Sequence, residues 1–178
     1  MNKSFEASWI IALIGSIITF IAFLTPAGVP TGDTDYVWMI GLSGREEIAF
    51  LTNHPLSLIL SLFCSVIILS CNLLDIVLTI LMRNKPEKNP HIAWFVTAFI
   101  MVIFTIVWVV LIHFFLPLHI TRRGTISEEH RIYFSYTEYV PFWDYNVFGF
   151  GIYGILIGSV ILIIGSAFRK FGSNSNSI

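Results

Sequence analysis

A chain of 178 residues in which 56% are hydrophobic and only 12% charged, with a mean hydropathy of +0.81, is not an ordinary water-soluble domain, where about a quarter of residues carry charge. The formal net charge of −1 says little as a total, and there is no basic tract to serve as a nucleic-acid footprint. The charge that remains sits between long apolar runs, a pattern that needs lipid as its solvent, and the length sets the expectation of one domain.

The first apolar run, Trp9 to Leu24, follows Lys3 and Glu6 and is closed by Thr25-Pro26. Ala7 and Ser8 extend it to a helix over about 7–25, long enough for one span. A basic start, an apolar stretch and small residues near Ala27 also make up a signal peptide; we read the segment as a retained first helix. The outer loop 26–54 begins with the turn-rich Pro26–Asp33 and continues into Tyr36–Leu42, whose β-branched and aromatic content predicts a strand.

The second run, 55–82, opens on Pro55, which suits a first helical turn because its missing N–H has no partner there. The third, 92–116, is stopped by Pro117, and the loop Arg83–Pro90 joins the two as a short hairpin. The outer loop 117–146 holds His119–Gly124 and Arg131–Tyr139, the latter alternating with a period of two. With the polar connector Thr125–His130 between them, they predict a β-hairpin. The fourth run spans 147–168, and the polar, low-complexity residues 172–178 read as a disordered tail. The expected fold is an all-α membrane protein: a single domain over 1–171, a four-transmembrane-helix bundle with a small extracellular antiparallel β-sheet formed by the two outer loops.

Lysine and arginine set the orientation. With both termini inside, Lys3, Arg83, Lys85, Lys88, Arg169 and Lys170 face the cytoplasm, against Arg45, Arg122, Arg123 and Arg131 outside. The expected location is the cell membrane, multi-pass, with cytoplasmic N- and C-termini.

Asp75 is the only acid within a predicted span, and such a residue is a functional candidate because burying its charge in lipid is expensive. With Ser57, Ser61, Cys64, Cys71, Asn72 and Thr79 it forms one polar side of the second helix. One reading is a proton or cation site; the other is interhelical hydrogen bonding, with Asn72 and Asp75 as glue. Cys64 and Cys71 lie about two turns apart, roughly 10 Å along a helix, too far to join within it. His54, His113 and His119 gather near one surface, but their spacing matches no compact metal motif.

Gly151, Gly154, Gly158 and Gly165 give the fourth helix a face of small residues, and Gly154-xxx-Gly158 is a small-xxx-small pair. Gly15 and Ser16 on the first helix offer a matching surface for close packing or for a partner helix. Trp9, Trp94, Trp143, Tyr139 and Tyr145 fit interfacial belts. The chain contains no phosphate-binding glycine loop, nucleophile elbow, C-x-x-C pair or H-E-x-x-H motif. No catalytic residue, metal or cofactor is expected.

Four spans, cytoplasmic ends, a short basic inner hairpin, a long third helix and an outer sheet built from both outer loops together resemble the claudin and peripheral-myelin-protein superfamily. In that family the first outer loop carries a tryptophan, then Gly-Leu-Trp, then two cysteines. Here Trp38 and Gly41-Leu42 stand in that loop, with Ser43 in place of the second tryptophan and no loop cysteine. The resemblance implies a non-enzymatic role: lateral association, adhesion, or an accessory subunit of a larger membrane complex. The expected partners are membrane lipids and other membrane subunits or a second copy, met through an outer surface that includes Trp38, Gly41, Leu42, Tyr133 and Trp143. The alternative is a small transporter or channel subunit using Asp75, Asn72, Cys71 and Ser61.

Overall fold

The computed structural model describes residues 3–31, 35–44, 49–51, 55–82, 90–116, 118–127, 132–144 and 146–174. Among them are four helices: α1 (Lys3–Phe23), α2 (Pro55–Met82), α3 (His91–Phe115) and α4 (Phe150–Asn174). Three stretches are long and apolar enough to cross a membrane, Pro55–Leu81, His91–Phe115 and Phe150–Arg169, whereas the apolar part of α1 is shorter, Ala7–Phe23. Each helix packs antiparallel on its neighbours: α1 on α4 and on α2, and α3 on α2 and on α4.

The helices bury many polar side chains beside an apolar core that includes Ile68, Trp94, Met101, Trp108, Ile155 and Leu162, and they leave large apolar side chains exposed. Ser8, Ser16, Thr19, Ser61, Asn72, Asp75, Thr79, Thr105 and Ser159 are all fully buried, while Phe114 is 70% exposed, Ile92 64% and Ile59 62%. Such a surface would be an aggregation hazard in water.

The chain between α1 and α2 folds into β1 (Gly28–Pro30), β2 (Tyr36–Val37), β3 (Leu42–Gly44) and β4 (Ala49–Phe50). A fifth strand, numbered β7 in chain order (Asn146–Phe148), comes from just before α4, and the five form one antiparallel sheet in the order β4-β3-β2-β1-β7. Both outer loops therefore contribute to it. The second loop also makes a separate two-stranded sheet of β5 (Leu118–Ser127) and β6 (Ile132–Val140), paired over nine registered positions from Leu118↔Val140 to Ser127↔Ile132.

Four expectations change, the first being that α1 runs over Lys3–Phe23 and not 7–25. The strand expected over 36–42 is a tight hairpin: Gly41 has φ +79°, its N–H bonds Trp38 O at 3.0 Å, and Trp38 N–H bonds Leu42 O at 2.9 Å. A positive φ is a glycine conformation, and it reverses the chain there. The fourth helix begins at Phe150, not 147, because residues 146–148 pair with β1 in the register Pro30↔Asn146, Val29↔Val147 and Gly28↔Phe148. At its other end α4 continues to Asn174, through the first residues of the expected disordered tail. The connection 83–89, expected as a short hairpin, and residues 175–178 lie outside the described residues.

Candidate functional site

The buried side of α2 is a stripe at spacings of three and four: Ser57, Ser61, Cys64, Ile68, Asn72, Asp75 and Thr79. Residues so spaced share one helix face, and here that face is largely polar. Several of its groups meet partners on other elements. The Ser57 hydroxyl donates to the Phe115 carbonyl at the end of α3. The Trp108 indole N–H donates to Ser61 Oγ at 3.0 Å. Ser65, one residue off the stripe, donates to Met39 O at 2.7 Å, and Met39 is the buried tip of the β2–β3 turn. Asn72, with its amide nitrogen turned toward α1, donates to Ser16 O at 3.1 Å and accepts from the Phe20 N–H at 3.3 Å. Lower still, the Trp9 indole N–H donates to Thr79 O at 2.5 Å.

Asp75 meets α3. The Thr97 hydroxyl lies 2.6 Å from Asp75 Oδ1 and 2.7 Å from its own helix's Ala93 O. One hydroxyl proton serves one of these acceptors at a time. Asp75 Oδ2 has no hydrogen-bond partner among the described residues, and neither has Thr79 Oγ1, one turn away. The residue is 0% exposed, so no water-sized space touches it. Cys64 is buried and Cys71 half-buried, and both are free thiols.

Between α1 and α4 the contact is steric. A Cβ on Gly158 would lie 2.2 Å from Thr19 Oγ1 and 2.6 Å from Gly15 O; one on Gly15 would lie 2.8 Å from Gly158 O. Gly154 faces Ala22, Gly151 faces Thr25 and Ala27, and Gly165 faces Ala12 and Ser8. The hydroxyls on this side of α1 turn back on their own helix, Ser16 to Ala12 O and Thr19 to Gly15 O, each at 3.0 Å. They leave the partner helix an apolar, close surface.

Most of the residues expected on the outer surface are partly covered. Gly41 is buried, with Leu58 of α2 against its α-carbon, while Trp38 and Leu42 are half-buried. Trp143 donates its indole N–H to Val109 O at 2.8 Å and packs edge-on to Phe142, Phe148 and Trp108, at centroid separations of 4.6, 4.7 and 6.3 Å. It anchors the second loop to α3. Trp94, expected at a membrane interface, is 2% exposed. Tyr133 stands in β6 opposite Thr125.

Thr97, Trp108 and Ser65 belong to this polar interior and were not singled out from sequence. Trp108 carried a signal, being a tryptophan within a span and away from either interface. Thr97 carried one only by its spacing of eight from Thr105, which puts both on the buried face of α3. Among the described residues no group of histidine, cysteine and acidic side chains could hold a metal ion. Comparison with known protein families, curated proteins and solved structures gives no match.

Proposed function

We propose that the chain crosses the cell membrane four times, with both termini cytoplasmic, and acts without catalysis as an interaction protein: an accessory or scaffolding subunit of a membrane complex, or a laterally self-assembling one. Supporting the membrane reading is the exposure of many large isoleucine, leucine, valine and phenylalanine side chains on helices that enclose serine, threonine, asparagine and aspartate. The apolar part of α1 covers about 26 Å at 1.5 Å per residue, close to the hydrocarbon thickness, with Lys3 and Glu6 beyond it.

The interaction reading rests on one observation. Asp75, the residue a transporter would use, is enclosed without water-sized space and bonded to Thr97 of the next helix. That is how polar side chains hold helices together in lipid. The five-stranded sheet, with four strands from the first loop and one from the second, supports a claudin-like architecture and with it a role in lateral association. Transport remains the second reading because Asp75 Oδ2 and Thr79 Oγ1 lack partners among the described residues, and buried orphan oxygens are what a bound cation or proton satisfies.

Purification in mild detergent separates the two readings. A stable homo-oligomer or a stoichiometric second membrane chain is expected, with no cation flux after reconstitution into liposomes. Flux that disappears in a folded Asp75→Asn variant sinks the interaction reading. A cysteine at Ser127 is expected to react with an impermeant thiol reagent from outside cells and one at Asn84 to be silent; the reverse overturns the orientation.

A further inference from the structure

The four helices are level at one end and not at the other. At the inner end the Trp9 indole N–H donates to the Thr79 carbonyl, Ser166 donates to the His91 carbonyl, and Gly165 lies against Ser8. At 1.5 Å per residue, α1 rises about 21 Å from Trp9 to its last residue, Phe23, and α4 about 22 Å from Gly165 to its first, Phe150. From the same level α2 rises about 36 Å from Thr79 to Pro55, and α3 about 36 Å from His91 to Phe115. The bond from Ser57 to the Phe115 carbonyl joins their high ends. The five-stranded sheet starts on the low side, where β1 follows α1 and β7 leads into α4. Its β2–β3 turn reaches across to α2, with Met39 at Ser65 and Gly41 at Leu58. The outer ends of α2 and α3 thus form a crest about 14 Å above the tops of α1 and α4.

The crest exposes Leu56, Ile59 and Phe114, at 50, 62 and 70%. They continue rows that run the length of both helices at spacings of three and four, so each row keeps to one helix face. On α2 the row passes from Ile80 through Val66 to Leu56, and on α3 from Ile92 through Phe99 and Val110 to Phe114. Neither row contains a charged residue, a tyrosine or a tryptophan, and Ser70 is the one polar member of the first. The low side differs. There Tyr153, 51% exposed, stands one turn below the top of α4 with Phe148 edge-on to it at 6.1 Å, and tyrosine favours the boundary between lipid and water. A flat hydrocarbon layer of about 30 Å that starts at the inner end stops short of Leu56 and Phe114. Tilting the bundle shortens all four helices alike and leaves the step. Because the rows are unbroken, the solvent that covers their lower part fits the crest too. We infer that lipid acyl chains cover the crest, the outer leaflet rising beside α2 and α3, so that the protein stands at a step in bilayer thickness. Local thickening is one way a bilayer accommodates an apolar stretch longer than itself. The inference rests on the membrane reading and deepens it by giving the two sides of the molecule lipid of different thickness.

Nitroxide labels on Phe114→Cys and, as a mid-row reference, on Val66→Cys are read in vesicles of dioleoyl phosphatidylcholine, with Cys64 and Cys71 replaced by alanine. Collisions with oxygen report hydrocarbon, and collisions with a water-soluble nickel chelate report water. Both sites are expected to be open to oxygen and shielded from nickel. Nickel access at Phe114 alone puts the crest in water and overturns the inference. Shielding of Phe114 from both reagents also overturns it and assigns the crest to a protein partner. Nickel access at both sites removes the membrane reading itself. The wild-type chain supplies a second measurement that needs no substitution, the quenching of its tryptophans by brominated lipid. Long-chain dierucoyl phosphatidylcholine is expected to compete for the protein surface about twofold better than short-chain dimyristoleoyl phosphatidylcholine. Ile59→Ser combined with Phe114→Ser is expected to abolish that preference. Equal competition in the wild type, or an unchanged preference in the double variant, overturns the inference.

Discussion

The α1–α4 and α2–α3 contacts join neighbouring helices by opposite means. Along α1–α4 glycines let two backbones touch, and the nearby hydroxyls are turned inward to their own helix. Along α2–α3 the contacts are hydrogen bonds from one helix to the other, Trp108 to Ser61, Ser57 to Phe115 and Thr97 to Asp75. Van der Waals contact between close backbones and interhelical hydrogen bonds are two ways of holding helices together. This protein assigns one to each side. A steric seam is sensitive to added volume and indifferent to polarity; a bonded seam is the reverse.

The widest break is at Gly158. Gly158→Leu puts atoms where Thr19 Oγ1 and the Gly15 carbonyl already stand, and backbone cannot be pushed aside as a flexible side chain can. A loss of about 3 kcal/mol is expected, read from detergent unfolding or from failure to purify as a single species. Unchanged stability would mean that this face of α4 looks into lipid.

On the other seam, Asp75→Leu removes the bond to Thr97 and is expected to cost about 1 kcal/mol, the scale of interhelical hydrogen bonds in membranes. Asp75→Asn keeps a group that bonds the Thr97 hydroxyl and should stay within about 0.5 kcal/mol of wild type. Equal losses in the two variants would show that the charge itself matters, against the assignment of this seam to hydrogen bonding.

Gly165→Ala gives the smallest effect and the sharpest reading of the steric seam. Its added carbon would lie 3.2 Å from Ala12 N and 3.3 Å from Ser8 O, so a shift of a few tenths of an ångström suffices. Less than about 1 kcal/mol is expected. A loss as large as that at Gly158 would mean that the seam is rigid along its whole length.

The helices were legible in the sequence because their signal is length and apolarity. The run 55–82 predicted α2 to the residue, and α3 is displaced by one. The start of α4 was not legible. Val147 and Phe148 extend an apolar run as well as they fill a strand, and only pairing with β1, distant in sequence, decides for the strand. In the 36–42 segment composition correctly suggested β structure, but the reversal at Gly41 depends on one backbone angle. The polar stripe on α2 could be seen as a stripe. Its partners could not, since Thr97 and Met39 are reached only through the antiparallel packing of α2 with α3 and the inward tip of the β2–β3 turn.

The partnership of α1 with α4 bears on how the molecule is made. During synthesis α1 emerges first, and the glycine face it must fit arrives last. Until then its small-residue side has only α2 beside it, including the Asn72 amide that grips the peptide groups of Ser16 and Phe20. The same order holds outside the helices, where β1 waits for β7. Helix and sheet thus close in one late step, joining segments more than a hundred residues apart. Loop closure over such separations is slow compared with local pairing. A chain stopped short of residue 146 would lack both closing elements at once and would leave the α1 seam open.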